Sequence, residues 1–225
     1  MIPLRRAAAQ IVVLAKEPLP GKVKTRLTPP FTPQEAARLA AASLEDTLAA
    51  VAAVRVRRRV LAFDGPPGAC SPDGFVVIPQ RGGPLDERLA AAFEDAYRRC
   101  PLPVVVIGMD TPQVTADLLA EAVAALRTGD AVYGPAADGG FWLLGLRRPD
   151  PALVLGVPMS RPTTGDTQLR RLRQAGLQVA VMPELTDVDC FQDTIRVAAE
   201  APRSRFAAAL AGMNLVPGRR ARRRS

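Results

Sequence analysis

Residues 16–27 read KEPLPGKVKTRL and gather Lys16, Lys22, Lys24 and Arg26 in one short segment. Four cations so placed repel one another unless water, carboxylates or a bound polyanion compensates, and a phosphate chain is the usual ligand of such a cluster. Glu17 offsets a single charge. Lys16, Lys22 and Lys24 are the only lysines of the chain, and the other 27 of its 30 cations are arginine. A compact ammonium retained in one place suggests a geometry that the planar guanidinium does not satisfy. Gly21 would let the backbone approach a ligand closely. The competing reading is a solvated basic loop. The segment is neither a Walker A sequence nor a G-x-G-x-x-G turn, which argues against kinase-type NTPases and NAD enzymes.

Carboxylates supply the second half of a possible site. Residues 104–110, VVVIGMD, form a buried apolar run that ends in Asp110. Asp187-Val188-Asp189 follows the last apolar run, and alternation points its two aspartates the same way if the backbone is extended. Oxygen ligands without imidazole or thiolate suit Mg²⁺ or Mn²⁺, so Asp110 and Asp189 are the candidate metal ligands. Zinc is a poor match. The alternatives are a turn or cap role for Asp110 and a helix N-cap role for Asp189.

Two further segments belong with these. Residues 134–142, GPAADGGFW, combine Asp138 with backbone at Gly139 and Gly140 able to pass near a ligand, followed by Phe141 and Trp142. Residues 80–88, QRGGPLDER, open a helix whose amide end could hold an anion or sugar hydroxyls, with Arg88 on its first turns. Arg88 could equally be a surface partner of Asp86 or Glu87. The chain contains no histidine, so histidine-based triads, histidine bases and histidine-ligated zinc or iron are excluded.

The elements that must position these residues alternate along the chain. Short apolar runs at 10–15, 56–63, 75–78, 104–107, 131–133, 141–145 and 179–182 read as strands. Helical patterns fill the gaps. Thr32-Pro33-Gln34-Glu35 supplies an N-cap, a proline at N1 and a glutamate at N3 for a helix running to about Val54. Further helices are expected at 85–99, 115–126, 165–175 and 190–199, with a last turn or two at 203–211. The Gly/Pro-rich stretch 64–74 reads as a surface loop. This pattern predicts a single α/β, Rossmann-like domain whose mostly parallel sheet is covered by helices on both faces. In such a sheet, ligands bind beyond the carboxyl ends of the strands.

At 225 residues and 48% apolar side chains, one substantial core is expected. The net charge of +8 owes five of its units to arginines 219, 220, 222, 223 and 224, and +3 remains without them. Residues 1–216 are therefore expected to form the domain and 217–225 a disordered basic tail, with contact to nucleic acid or anionic lipid a minor reading. Three widely spaced cysteines, Cys70, Cys100 and Cys190, form neither a zinc knuckle nor a disulfide framework and fit a cytoplasmic protein. The apolar run after Arg5 and Arg6 ends at Lys16, too short for a membrane span. The sequence does not specify an oligomeric state.

Taken together, KEPLPGKVKTRL, QRGGPLDERL, IGMDTPQV, GPAADGGFWLLGL and TDVDCFQD resemble, in content and order, a bacterial GT-A-like transferase family. Its members are described as glycosyltransferases or as radical-SAM/selenodomain-associated transferases of the nucleotide-diphospho-sugar transferase superfamily. The resemblance covers about residues 10–198. It implies that Lys16, Lys22, Lys24 and Arg26 contact nucleotide phosphates, that Asp110 holds the divalent metal with help from Asp189, and that Asp138 and Gly139 face the acceptor. Thr111 stands where Cys or Ser is common, Phe141-Trp142 replace tyrosines, and residues 160–167 lack an expected tryptophan; these departures fall on the acceptor side.

The resulting expectation is a metal-dependent transferase that uses a nucleotide-sugar and a small-molecule acceptor. Asp138 serves as base if the enzyme inverts, while Lys24 and Asp110 stabilise the departing diphosphate. Nucleotidyl transfer from an NTP to a phosphorylated acceptor, with release of pyrophosphate, is the first alternative. A non-catalytic nucleotide- or RNA-binding protein is the second.

Overall fold

In β1 (Ala7–Lys16) the apolar side chains run almost without a break through Ala15, as a strand covered on both faces requires. Ile11, Val13 and Ala15 enter one hydrophobic cluster; Val12 enters the opposite one, with Leu14 packed against it. Alternation along one strand thus feeds two cores. The computed structural model describes residues 6–213. The expected tail, 217–225, lies outside them.

Parallel neighbours flank β1 on both sides: β2 (Val56–Asp64) and β4 (Val104–Ile107). Outside β2 lies β3 (Val76–Pro79), also parallel. On the other side β6 (Phe141–Leu146) runs antiparallel between β4 and β5 (Ala131–Pro135), and β7 (Val179–Val181) pairs parallel with β5. The sheet of seven strands has the order β3-β2-β1-β4-β6-β5-β7. This is the α/β architecture that the alternating pattern implies, with one antiparallel member.

Helices α1 (Pro33–Ala53) and α3 (Ala116–Ala125) cover one face through Leu44, Leu119 and Val123. Helices α2 (Leu85–Arg99) and α4 (Thr164–Gln174) cover the other through Leu89, Phe93 and Leu172. The short helices α5 (Phe191–Glu200) and α6 (Arg205–Ala211) pack against α1 around Leu39, Val197 and Phe206. The start of α1 carries the expected capping box: the Thr32 amide donates to Glu35 Oε2 at 2.8 Å and the Glu35 amide to Thr32 Oγ1 at 3.2 Å. Element boundaries differ from expectation by up to three residues. β1 begins at Ala7 rather than residue 10, and α6 begins at Arg205 because the Ser204 hydroxyl accepts from the Ala207 amide and caps it there.

Register places the strand ends. Lys16 pairs with Asp64 across β1 and β2. Val13 pairs with Ile107, so Lys16 and Asp110, each three residues further on, reach the same edge. An isolated bridge pairs Ala136 with Leu185, which brings Asp138 and Asp187 to that edge as well.

Candidate active site

Where that edge opens, a cleft of about 440 Å³ is bordered by Lys16, Arg88, Asp110, Asp138, Arg161 and Asp187. A smaller cavity of about 160 Å³, bordered by Lys16, Lys24, Arg26, Asp110 and Asp189, lies beside it. Asp110 and Asp189 border both.

Lys24 joins the two acidic segments. Its backbone is left-handed, with φ 47°, immediately before a 3₁₀ turn at Thr25–Leu27. From there its side chain, only 8% exposed, reaches Asp110 Oδ1 at 2.7 Å and Asp189 Oδ1 at 3.5 Å. Its ammonium also donates to the Val188 carbonyl. The Val188 amide in turn donates to the Asp110 carbonyl at 3.0 Å, which ties the segment after β7 to the end of β4. Burial works against the charge on Lys24, yet the charge and hydrogen bond of Asp110, and then Asp189 and Asp187, raise its pKa above the usual lysine value. Arg26 is 75% exposed and pairs with Asp189 at 3.3 Å.

Asp187 is the most enclosed of the acids. Burial first, then repulsion from Asp110, pushes its carboxyl up to about 7, with Asp138 and Asp189 adding and Lys24 opposing. Its buried Oδ1 has no hydrogen-bond partner. An orphaned carboxylate oxygen beside Asp110 and Asp189 is a donor set of hard oxygens, and it fits Mg²⁺ or Mn²⁺. Among the described residues no group of three or more His, Cys, Asp or Glu side chains is arranged to hold an ion by itself. The fit is therefore that of a small carboxylate set completed by oxygens of substrate and water.

The other members of the basic loop are placed differently. Lys16 borders both cavities. Lys22 and Gly21 are exposed and border neither. The Lys22 amide donates to the Leu19 carbonyl at 3.0 Å, so Leu19-Pro20-Gly21-Lys22 is a turn, and the φ of 74° at Gly21 serves that turn.

Arg88 faces the cleft from α2, 24% exposed, and its partners are neither Asp86 nor Glu87. It donates to Gln80 Oε1 at 2.7 Å and to Asp64 Oδ2 at 2.7 Å. Asp86 instead accepts from the Gly156 amide at 2.8 Å. Asp189 is not the N-cap of α5: Cys190 holds that position, and Asp193 accepts from the amides of both Asp189 and Cys190.

Asp138 Oδ1 accepts from the Gly140 amide at 2.8 Å, and both residues border the cleft. Gly139, at φ 85°, turns toward Pro162. Trp142 touches the cleft but is only 3% exposed; its Nε1 donates to the Pro183 carbonyl at 3.0 Å and its ring packs over Gly134. The ring that was expected to meet an acceptor is chiefly part of the core, because β6 points it inward beside Leu143.

Sequence reasoning did not single out Asp64, the Gln80 side chain, or the loop of Met159, Ser160 and Arg161 that borders the cleft. Asp64 follows the same rule as Asp110, a carboxylate at the end of an apolar strand. The loop had an indirect signal: β6 runs antiparallel, so the chain must return to the ligand edge before α4 begins.

A mixed sheet of this order, with cations and carboxylates gathered at its carboxyl edge, places the protein with the nucleotide-diphospho-sugar transferase superfamily. The chain belongs to the family described as "Uncharacterized protein conserved in bacteria (DUF2064)", whose sequence model matches residues 39–161. It is similar to a provisionally assigned nucleotide-diphospho-sugar transferase from Desulfovibrio desulfuricans G20, at 27% identity and a TM-score of 0.82 over 91% of this chain and 94% of that one. Two more distant structures share the fold. Rv0371c of Mycobacterium tuberculosis H37Rv in complex with manganese is 21% identical, with a TM-score of 0.50, covering 84% of this chain and 97% of that one. CMP:2-keto-3-deoxy-manno-octonic acid synthetase complexed with CTP is 15% identical, with a TM-score of 0.54, covering 86% and 98%. No curated protein matches the sequence. Among the described residues no helix is long and apolar enough to cross a membrane.

Proposed function

We propose that the protein is a metal-assisted glycosyltransferase that moves a sugar from a nucleotide-sugar to a hydroxyl of a small acceptor. The observation that carries this reading is the meeting of Asp110, after the central strand, and Asp189, after the edge strand β7, on one cationic point beside a 440 Å³ cleft. In the transfer the acceptor oxygen bonds to the anomeric carbon while the bond from that carbon to the donor phosphate oxygen breaks. The diphosphate leaves with the electron pair. If the configuration inverts, Asp138 takes the hydroxyl proton. Lys16 and Arg88 in the cleft, with Lys24 and Arg26 in the smaller cavity beside it, neutralise phosphate oxygens. Mg²⁺ or Mn²⁺ held by Asp110 and Asp189 would offset the charge that develops on the departing diphosphate.

Nucleotidyl transfer to a phosphorylated acceptor is the second reading. Its support is that a fold relative was crystallised with CTP. A thermal-shift screen of NTPs and nucleotide-sugars, with and without Mn²⁺, tests both, because a ligand that binds only the native state raises the melting temperature. A nucleotide-sugar that stabilises only with Mn²⁺, followed by release of nucleoside diphosphate, upholds the first. Pyrophosphate release transfers the case to the second, and no stabilisation by any of these ligands overturns both.

A further inference from the structure

The wall of the cleft that carries Arg88 is organised by a neutral residue that itself borders the cleft. Gln80 follows β3, and its backbone amide donates to the Phe63 carbonyl at 3.0 Å, continuing the ladder by one residue. Its side-chain Nε2 donates to the Ala15 carbonyl at 2.6 Å and to the Ala62 carbonyl at 2.9 Å, one residue before the end of β1 and two before the end of β2. Both amide protons are thereby spent on strand ends, and the amide cannot be reversed without setting its oxygen against two carbonyls. The Oε1 that remains accepts from Arg88 Nε at 2.7 Å. Asp64 Oδ2 completes the clamp by accepting from Arg88 Nη2 at 2.7 Å.

A free arginine side chain loses rotamer entropy when it is immobilised. Here that loss is taken in the fold itself. Two of the five guanidinium protons are bound, which leaves both Nη1 protons and one on Nη2 as a held planar donor on a residue that borders the cleft. Asp64 cancels part of the charge, so geometry rather than net charge distinguishes this arginine from the mobile, 75% exposed Arg26.

We propose that Gln80 is a positioning residue for oxyanion binding: it holds the guanidinium of Arg88 in the orientation that grips a phosphate group of the substrate. The inference rests on the polyphosphate reading of the cleft. It assigns to Gln80, through Arg88, a share of affinity that neither its charge nor its own contacts would supply.

A double-mutant cycle tests it, with inorganic pyrophosphate as the probe and calorimetric titration of the full chain as the measurement. Gln80→Leu is expected to weaken pyrophosphate binding about fivefold in the native background and less than about twofold in an Arg88→Ala background, the non-additivity that marks two residues acting as one. A structural role alone would weaken binding equally in both backgrounds, and that result overturns the inference. So does a Gln80→Leu protein that binds as tightly as the wild type. Gln80→Glu, which still accepts from Arg88 but sets a carboxylate against two carbonyls, is expected to fall with Gln80→Leu; binding at the native level in that variant would remove the strand-end contacts from the argument. A wild-type protein that binds no pyrophosphate sinks the polyphosphate reading itself, an outcome distinct from a wild type that binds and a Gln80→Leu variant that matches it.

Discussion

The ammonium of Lys24 lies 2.7 Å from Asp110 and 3.5 Å from Asp189, and it joins the carboxylates of two segments that the backbone bond from Val188 to Asp110 already ties together. Lys24→Met keeps the apolar stem and removes the charge, leaving Asp110 and Asp187 without this cation and Asp189 with Arg26 alone. Because Asp110 and Asp189 are 45% and 42% exposed, water screens part of the loss. The expected destabilisation is about 1–2 kcal/mol rather than the ~3–5 kcal/mol of a fully buried broken pair. Mn²⁺ should restore more stability to this variant than to the wild type, since it supplies the missing positive charge. Urea unfolding with and without Mn²⁺ measures both, and equal stability of variant and wild type in the absence of metal would show that the ion triad contributes nothing.

Two glycines in the left-handed region separate backbone freedom from packing. Gly139, at φ 85°, and Gly21, at φ 74°, both adopt conformations that L residues avoid. A Cβ on Gly139 would also collide with the Pro162 carbonyl, whereas one on Gly21 would meet nothing within 4 Å. Gly139→Ala is expected to cost about 2–4 kcal/mol and to displace the turn that carries Asp138, while Gly21→Ala costs about 1 kcal/mol. Urea midpoints decide the comparison; equal losses would mean that the Pro162 contact is not rigid.

The element pattern was legible because each strand and helix announces itself within a few residues: the unbroken apolar run of β1, the Thr32–Glu35 cap of α1, the strand end at Asp110. What pairs across the sheet was not. Lys24 and Asp189 are far apart in sequence, and nothing local says that a lysine of the basic loop reaches first for carboxylates. The partner of Arg88 was sought among its helical neighbours, whereas the fold brought it Asp64 and Gln80 through strand register. Trp142 was placed with the acceptor because it follows the turn of Asp138, Gly139 and Gly140; β6 is buried from Trp142 to Leu146, so the ring lies mostly in the core. Gly21 looked like a ligand approach because a glycine among lysines suggests one, and only the Leu19–Lys22 hydrogen bond reveals a turn.

Tyr133 provides a pH-dependent reporter of the floor beneath Asp138. Its hydroxyl donates to the Gly140 carbonyl at 3.1 Å, and its ring is 3% exposed. Burial, with Asp166 and Asp138 nearby, pushes its pKa up to about 12. The native state thus holds the phenol proton more tightly than the unfolded chain does. The associated stability is complete below the unfolded value of about 10 and is lost as pH rises from there through the folded value. Absorbance of the phenolate band during alkaline titration should show a late phase for the native protein that Tyr133→Phe abolishes. If all the phenolate of the folded protein appears near pH ~10, the enclosure of this ring is wrong.

Asp110→Asn separates the fold from the proposed chemistry. The amide keeps the volume of the side chain and an oxygen that can still accept from Lys24, and the backbone bond between Val188 and the Asp110 carbonyl is untouched. The melting temperature should therefore stay close to that of the wild type. What disappears is a negative charge from the small carboxylate set, so affinity for Mn²⁺, followed through the signal of the free ion, is expected to fall by about tenfold or more, and metal-dependent turnover with it. Undiminished Mn²⁺ binding would remove Asp110 from the metal site. A large loss of stability would mean that its carboxylate serves the fold through Lys24 instead. The two readouts are independent, because unfolding reports the pairing with Lys24, whereas Mn²⁺ titration reports the hard-oxygen charge that remains when that pairing is kept.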